Sequence, residues 1–209
     1  MPALKPNEIE PRSMEIIEEL LPPGGWTPME RVIVKRLVHT SGDPGIAAFV
    51  RFHPAAIESA LEALRRGASV FTDVNMVRIG VDAARLRSRG GVARCGIDDP
   101  QVVEAARASG RTRARTAMRT FGHELDGAVL AIGNAPTALR EVIELAQEGI
   151  ARPALAIGMP VGFVDAAESK QALMESGLPY IAIEGTRGGS PLAAATVNAL
   201  LRLLEAPGV

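Results

Sequence analysis

The sequence predicts a three-layer α/β/α sandwich built on a five-stranded parallel sheet. Five short apolar runs are each followed by a helical pattern, which is the alternation expected of consecutive βα units. Residues 128–170 contain two such units in succession, each with a turn rich in glycine and proline between strand and helix. Parallel strands joined by helices bring their carboxyl ends to one edge of the sheet, where ligands bind.

Three helices are predicted before the sheet. The first covers residues 7–21, and four of its apolar side chains share one side. A second helix begins at the capping box of Thr27 and Glu30 and continues to about Gly42, and a third fits residues 54–66. The shared side of the first helix consists of Ile9, Ile16, Ile17 and Leu20.

The remaining chain alternates between strands and helices. The strands are predicted at 68–72, 92–97, 128–132, 154–157 and 180–184. The helices are predicted at 74–84, 99–108 and 111–121, then after Pro136, after Gly162 and at 192–204. The interpretation is a single α/β domain over residues 1–209, in which an N-terminal helical segment, 1–66, packs on a sheet core, 67–209.

Composition and charge exclude several classes of function. The chain has 209 residues, 47% of them apolar, and a formal net charge of -1 with dispersed basic residues, which argues against nucleic-acid binding. The single cysteine cannot support a disulfide framework, and the three histidines are too scattered for a metal site. No apolar run approaches the roughly 20 residues that span a bilayer, and residues 1–12 lack a signal-peptide core. These features predict a cytoplasmic protein without a membrane partner.

The loops at the carboxyl ends of the strands define a predicted ligand crevice. Gly133 and Asn134 follow the third predicted strand, and Asp73 follows the first. An equally open interpretation is that Asp73 is buried at the strand end and caps the next helix. The loop after the fourth strand contributes Gly158, Met159, Pro160, Val161 and Gly162, with Phe163 beside them.

The loop after the fifth strand is predicted to bind an anion. Arg187 offers a planar fork for a carboxylate or phosphate, and Gly188 and Gly189 let a ligand approach the backbone. Ser190 opens a helix whose first N–H groups are free. The alternative is a flexible turn with a solvated arginine. The loop is neither a Walker motif nor a GxGxxG fingerprint, so nucleotide binding has no specific support.

His39 is the candidate general acid. It lies in the last turn of the second predicted helix, where the partial negative charge of the helix end favours the imidazolium. A protonated imidazole can donate a proton near neutral pH. From position alone, the ordinary interpretation is that His39 interacts with the helix dipole or caps the helix.

Three long sequence blocks resemble one enzyme family. They are GNAPTAL at 133–139, GMPVGFVDAAESK at 158–170 and GTRGGSPLAAATVNAL at 185–200, and weaker similarity extends back towards the N-terminus. In these blocks the chain resembles the precorrin-8X methylmutases of corrin-ring biosynthesis. The resemblance implies a flavodoxin-like fold, a homodimer, and an isomerase that moves a methyl group within a polycarboxylated tetrapyrrole without a cofactor.

The resemblance also implies roles for individual residues. LVHTSGD matches the segment of the family's active-site histidine, which falls on His39. Arg113 matches a substrate-contacting arginine, and the presence of Arg115 leaves open which of the two faces the ligand. Ser13 matches a serine of the family pattern, and Asp73 matches the loop after the first strand, so both are candidate substrate-binding residues. The apolar loop residues Met159, Pro160, Val161 and Phe163 would cover the ring.

Other functions stay open at this point. A tetrapyrrole carrier would bind the intermediate without chemistry, and a phosphosugar or nucleotide enzyme would use residues 187–190 as a phosphate cradle, by fold analogy alone. The sequence does not decide whether the substrate is precorrin-8X or its cobalt complex. Hand-over of the product to neighbouring cobalamin-pathway enzymes is a further expectation from the resemblance.

Overall fold

A computed structural model describes residues 5–205. Residues 1–4, which begin the segment predicted to lack a signal peptide, and residues 206–209 lie outside this part. The helices are α1 (Pro6–Leu20), α2 (Pro28–Ser41), α3 (Ala56–Arg65), α4 (Asn75–Gly80), α5 (Ala83–Ser88), α6 (Pro100–Ser109), α7 (Arg113–Phe121), α8 (Pro136–Gln147), α9 (Ala166–Glu175) and α10 (Ser190–Leu203). The strands are β1 (Val50–Phe52), β2 (Val70–Thr72), β3 (Ala93–Cys95), β4 (Val129–Ile132), β5 (Leu155–Gly158) and β6 (Tyr180–Ile183).

The strands form one mixed sheet in the order β1-β6-β5-β4-β2-β3. Strands β2 to β6 are parallel and lie at the five predicted places, but the prediction of a five-stranded, all-parallel sheet is wrong because β1 pairs antiparallel with β6. Numbered among themselves, the parallel strands run 2-1-3-4-5, the order of flavodoxin-like sheets. The strand order therefore reverses between β2 and β4, where ligands bind in such sheets.

The sheet separates two apolar cores. Successive residues of β4 point to opposite faces, so Val129 and Ala131 join one core while Leu130 and Ile132 join the other. The first core is closed by α1 to α5 and α10, and the second by α7, α8 and α9. This arrangement is the predicted three-layer sandwich. Within residues 5–205, no helix is both long enough and apolar enough to cross a membrane.

The predicted helix at 74–84 is wrong, because the chain forms two short helices, α4 and α5, with extended backbone at Val81 between them. Asn198 of α10 bonds both sides of this break. Its side-chain oxygen accepts from the Asp82 N–H at 2.7 Å, and its amide donates to the Gly80 carbonyl at 2.8 Å. Asp82 then caps α5 by accepting from the Arg85 N–H at 3.0 Å.

Helix α1 buries less of its apolar side than its pattern suggests. Ile17 is buried, whereas Ile9, Ile16 and Leu20 are 54%, 43% and 56% exposed. Ion pairs hold much of the helix, including Glu18 with Arg31 at 2.6 Å. An apolar strip therefore remains open to solvent along α1.

Candidate active site

The three predicted loops meet at one edge of the sheet. The Met159 N–H donates to the Ile132 carbonyl at 2.8 Å, which joins the loops after β5 and β4. The Gly189 N–H donates to the Met159 carbonyl at 2.8 Å, which adds the loop after β6. A Cβ at Gly133 would lie 2.7 Å from the Cα of Ser190, so these two backbones approach as closely as only glycine permits.

Asp73 connects the end of β2 to the loop after β4, at the switch point between these two strands. Its carboxylate is fully buried and accepts from the N–H groups of Gly133, Asn134 and Ala135 at 3.0, 2.7 and 2.6 Å. Burial raises the pKa of the Asp73 carboxyl, and these three bonds act in the opposite direction. The interpretation of Asp73 as the cap of the next helix is wrong, since its bonds go to a loop 60 residues away. Asp73 therefore holds the loop Gly133–Ala135 against the end of β2.

The predicted anion loop carries an exposed arginine with two contacts. Nη1 of Arg187 lies 3.2 Å from Oδ2 of Asp43, and its guanidinium stacks on the ring of Phe49 at 4.8 Å. Asp43 lies in the turn that follows α2, four residues after His39. Arg187 therefore links the anion loop to the turn directly after α2, the helix whose last turn contains His39.

His39 lies in the last turn of α2, as predicted, and its side chain is exposed. It lines a hollow of about 330 Å³ between α1 and α2, and Ser13 of α1 lines the same hollow. The other lining residues are Ile16, Ile17, Leu20, Val38, Gly42 and Pro44. The structure thus brings together Ser13 and His39, two residues that the sequence could associate only through the family resemblance.

The structure separates the roles of Arg113 and Arg115. Nε of Arg115 donates to Oε2 of the buried Glu141 at 2.6 Å, so this guanidinium belongs to an ion cluster between α7 and α8. Arg113 starts α7, is exposed, and lies 3.5 Å from Oδ1 of Asp98. The residue before it, Thr112, hydrogen-bonds Thr137 beside the Gly133 loop. Of the two arginines, Arg113 therefore lies outside the Glu141 cluster and next to the start of α8, which follows the Gly133 loop.

The loop after β5 offers only part of its predicted apolar surface. Met159 and Pro160 are buried, whereas Val161 is exposed and Phe163 is 92% exposed. The exposed tip ends at Asp165, whose carboxylate accepts from Arg140 of α8 at 2.6 Å. Any ring-covering role in this loop therefore falls to Val161 and Phe163, while Met159 packs inside.

Two residues that contact Arg187 of the anion loop were not predicted from the sequence. Asp43 is the last residue of the segment LVHTSGD, and nothing local in the sequence indicates that it pairs with Arg187. Lys170 lies inside the block GMPVGFVDAAESK but is fully buried, and its Nζ donates to the Arg187 carbonyl at 2.6 Å. A lysine on the core side of a helix was the only local signal. Among residues 5–205, no group of three His, Cys, Asp or Glu side chains is placed to hold a metal ion.

Comparisons with known proteins find the same family that the three sequence blocks resemble. A family model described as precorrin-8X methylmutase matches residues 8–203. The cobalt-precorrin-8 methylmutase of Priestia megaterium is 43% identical over 202 residues, covering 97% of this chain and 90% of the relative. The precorrin-8X methylmutase of Sinorhizobium sp. is 39% identical over 198 residues, covering 94% of each chain. A solved precorrin-8x methyl mutase from Thermus thermophilus gives a TM-score of 0.88 at 39% identity, covering 96% of this chain and 99% of that one.

Proposed function

Because the chain belongs to the precorrin-8X methylmutase family, we propose that it is an isomerase of cobalamin biosynthesis that moves a methyl group between adjacent carbons of a corrin-type ring. The substrate is precorrin-8X, giving hydrogenobyrinic acid, or cobalt-precorrin-8, giving cobyrinic acid. Relatives of both names match over nearly the whole chain, so either substrate fits the family. The observation that supports the site assignment is the Arg187–Asp43 ion pair, which joins the proposed anion loop to the turn directly after α2, the helix whose last turn contains His39.

The reaction needs two contributions from the protein: a proton donor, and a binding site that fits the ring as it is after migration. In an intramolecular shift, the bond from the methyl group to one ring carbon breaks as a bond to its neighbour forms, so no methyl donor is needed. His39 donates a proton to the ring to favour this shift, and because the product is an isomer, a proton is returned from another ring position. Binding the ring in the shape it has after migration adds stabilisation of the transition state.

The crevice residues hold the periphery of the ring. Arg113 and Arg187 pair with its carboxylates, and the N–H groups of Gly188 and Ser190 add hydrogen bonds at the start of α10. The backbone of Gly133, Asn134 and Gly158 to Gly162 lines the floor, and Val161 with Phe163 covers one face. Ser13 reaches the substrate from the hollow that it shares with His39.

Arg113→Ala and Arg187→Ala should each weaken binding of hydrogenobyrinic acid by about 1.5–3 kcal/mol, the usual loss for a hydrogen bond to a charged group. The loss should shrink at high salt, because both guanidinium groups are solvent-accessible. Fluorescence or absorbance titrations at two salt concentrations measure it. The matched control is Arg107→Ala, an exposed arginine of α6. Titrations indistinguishable from that control would place the anion sites elsewhere.

We further propose a homodimer that covers the open strip of α1. Ile16 and Leu20 are exposed beside the hollow that contains His39, so a second copy seated there would bury apolar surface and enclose the candidate acid. Ile16→Glu with Leu20→Glu should shift the protein from dimer to monomer in sedimentation velocity. Val92→Glu, at an exposed apolar position near β3, should leave the dimer intact. A monomeric unchanged protein would contradict the assembly.

Turnover decides between the isomerase and a carrier. Incubation of the purified protein with precorrin-8X, and separately with cobalt-precorrin-8, should convert at least one of them, as absorbance spectra would record. Tight binding of the product without conversion of either substrate would indicate a carrier. A cytoplasmic location and hand-over of the product to other enzymes of the pathway remain predictions.

A further inference from the structure

Lys170 of α9 is a fully buried cation that has no carboxylate partner within residues 5–205. The chain has only 3 lysines among its 23 basic residues, and this one has no exposed surface. Its Nζ donates to the Arg187 carbonyl at 2.6 Å. Burial lowers the pKa of Lys170 to about 8. A buried charge is costly, so a benefit at this position is expected to offset it.

The hydrogen bond determines how one peptide group of the anion loop is turned. In a planar trans peptide the C=O and the following N–H point in opposite directions. Because the Arg187 carbonyl points at Lys170, the Gly188 N–H points away from Lys170. Within residues 5–205, that N–H has no backbone hydrogen-bond acceptor. It is thus a donor left available at the crevice.

The rest of the loop is held independently of Lys170. The Gly189 N–H bonds the Met159 carbonyl at 2.8 Å, and the Gly162 N–H bonds the Thr186 carbonyl at 3.1 Å. A Cβ at Gly188 would lie 2.3 Å from the Met159 carbonyl oxygen, so the loop runs tightly against its neighbour. Loss of the Lys170 bond should therefore free the Arg187–Gly188 peptide without unfolding the loop.

We propose that Lys170 is a positioning residue for substrate binding, which holds the Arg187–Gly188 peptide so that the Gly188 N–H faces a carboxylate of the ligand. The inference rests on the proposed function for the identity of that ligand. Three charged residues on segments next to α9 are each paired: Arg140 with Asp165, Glu184 with Arg51, and Arg187 with Asp43. Glu168 and Glu175 lie on α9 itself. A ligand carboxylate at the loop supplies the ammonium group with a nearby negative charge.

The test compares Lys170→Met, which keeps length and removes the donor, with Lys170→Arg, which keeps donors and charge. Lys35→Met is the control, because Lys35 pairs with Glu18 on α1, on an element apart from the loop. Lys170→Met should weaken binding of hydrogenobyrinic acid at least tenfold and raise KM similarly, with kcat changed less than twofold. Lys170→Arg should restore part of the affinity. Affinity of Lys170→Met equal to that of Lys35→Met would overturn the proposal.

The pH dependence gives a readout that a purely structural role would not change. Affinity of the unchanged protein for hydrogenobyrinic acid should fall as pH rises above about 8, because the free protein then loses the ammonium charge that favours the ligand. The affinity of Lys170→Met should stay flat over the same range. An equal slope in both proteins would contradict the proposal.

NMR of the ligand-free protein separates this proposal from the proposed function. Lys170→Met should shift the Gly188 amide signal, relative to Lys35→Met, because the Arg187–Gly188 peptide loses its bond to Nζ. Exchange of the Gly189 amide should stay as slow as in Lys35→Met, because that N–H keeps its bond to the Met159 carbonyl. Failure of the unchanged protein to bind hydrogenobyrinic acid would remove the proposed function while leaving this comparison intact. A Gly188 amide signal at the same position in both variants would remove the positioning role.

Discussion

His39→Ala is expected to reduce methyl migration by about 10²–10⁴-fold while leaving affinity for hydrogenobyrinic acid close to that of the unchanged protein. The reason is that general acid catalysis contributes a factor of this size and acts on the reacting ring, whereas binding depends on the arginines and loop N–H groups. The exposed side chain in the last turn of α2 has room to meet a ligand in its hollow. Absorbance spectra following conversion, together with a product titration, measure both quantities.

The control for this variant is His123→Ala, in the short helix Gly122–Leu125 that precedes β4, which should leave turnover unchanged. If His39 only stabilised the end of α2, its removal would cost about 1 kcal/mol of stability and leave the rate per folded molecule unaltered. A thermal melt of each variant separates these cases. Full turnover by folded His39→Ala protein would exclude His39 from the mechanism.

Four of the parallel strands, β2, β4, β5 and β6, were predictable because they are mostly apolar and buried on both faces of the sheet. Strand β3 is half-buried and contains Arg94, so it was predictable only from the alternation of strands and helices. Strand β1, Val50–Phe52, was missed because it pairs antiparallel with β6, a pairing that consecutive βα units do not imply. The break between α4 and α5 depends on Asn198, more than 100 residues away along the chain. Interactions of that kind leave no local signal in a sequence.

Some features of the candidate site could likewise be predicted from the local sequence, and others could not. Glycine and proline in the loops after β4 and β5, and Arg187 before α10, were visible from local pattern because strand topology sends these loops to one edge. The choice between Arg113 and Arg115 was not visible, since it depends on Glu141 across the α7–α8 contact. Asp73 was predicted at the crevice, but its bonds to a distant loop could not be derived from its neighbours.

Asp73→Ala is expected to lower the free energy of unfolding by about 3 kcal/mol or more, because three backbone N–H groups lose their buried acceptor and each such loss costs about 1–3 kcal/mol. Domains of this kind are stable by only about 5–15 kcal/mol, so the variant should melt well below the unchanged protein. The Gly133–Ala135 loop, released from β2, should also lose its place in the crevice, so product affinity should fall together with stability.

The matched control is Asp99→Ala, which removes a carboxylate that accepts from the backbone N–H of Gln101 at 2.8 Å but stands at the exposed start of α6. That loss should cost about 0.5–2 kcal/mol, as for other helix caps. Asp73→Asn should fall between the two, since one oxygen remains to accept while the new amide faces N–H groups. Urea unfolding of the three variants measures their free energies of unfolding and so gives their order of stability. If Asp73→Ala is no less stable than Asp99→Ala, water has replaced the carboxylate at the switch point. The contact between β2 and the Gly133 loop would then not depend on Asp73.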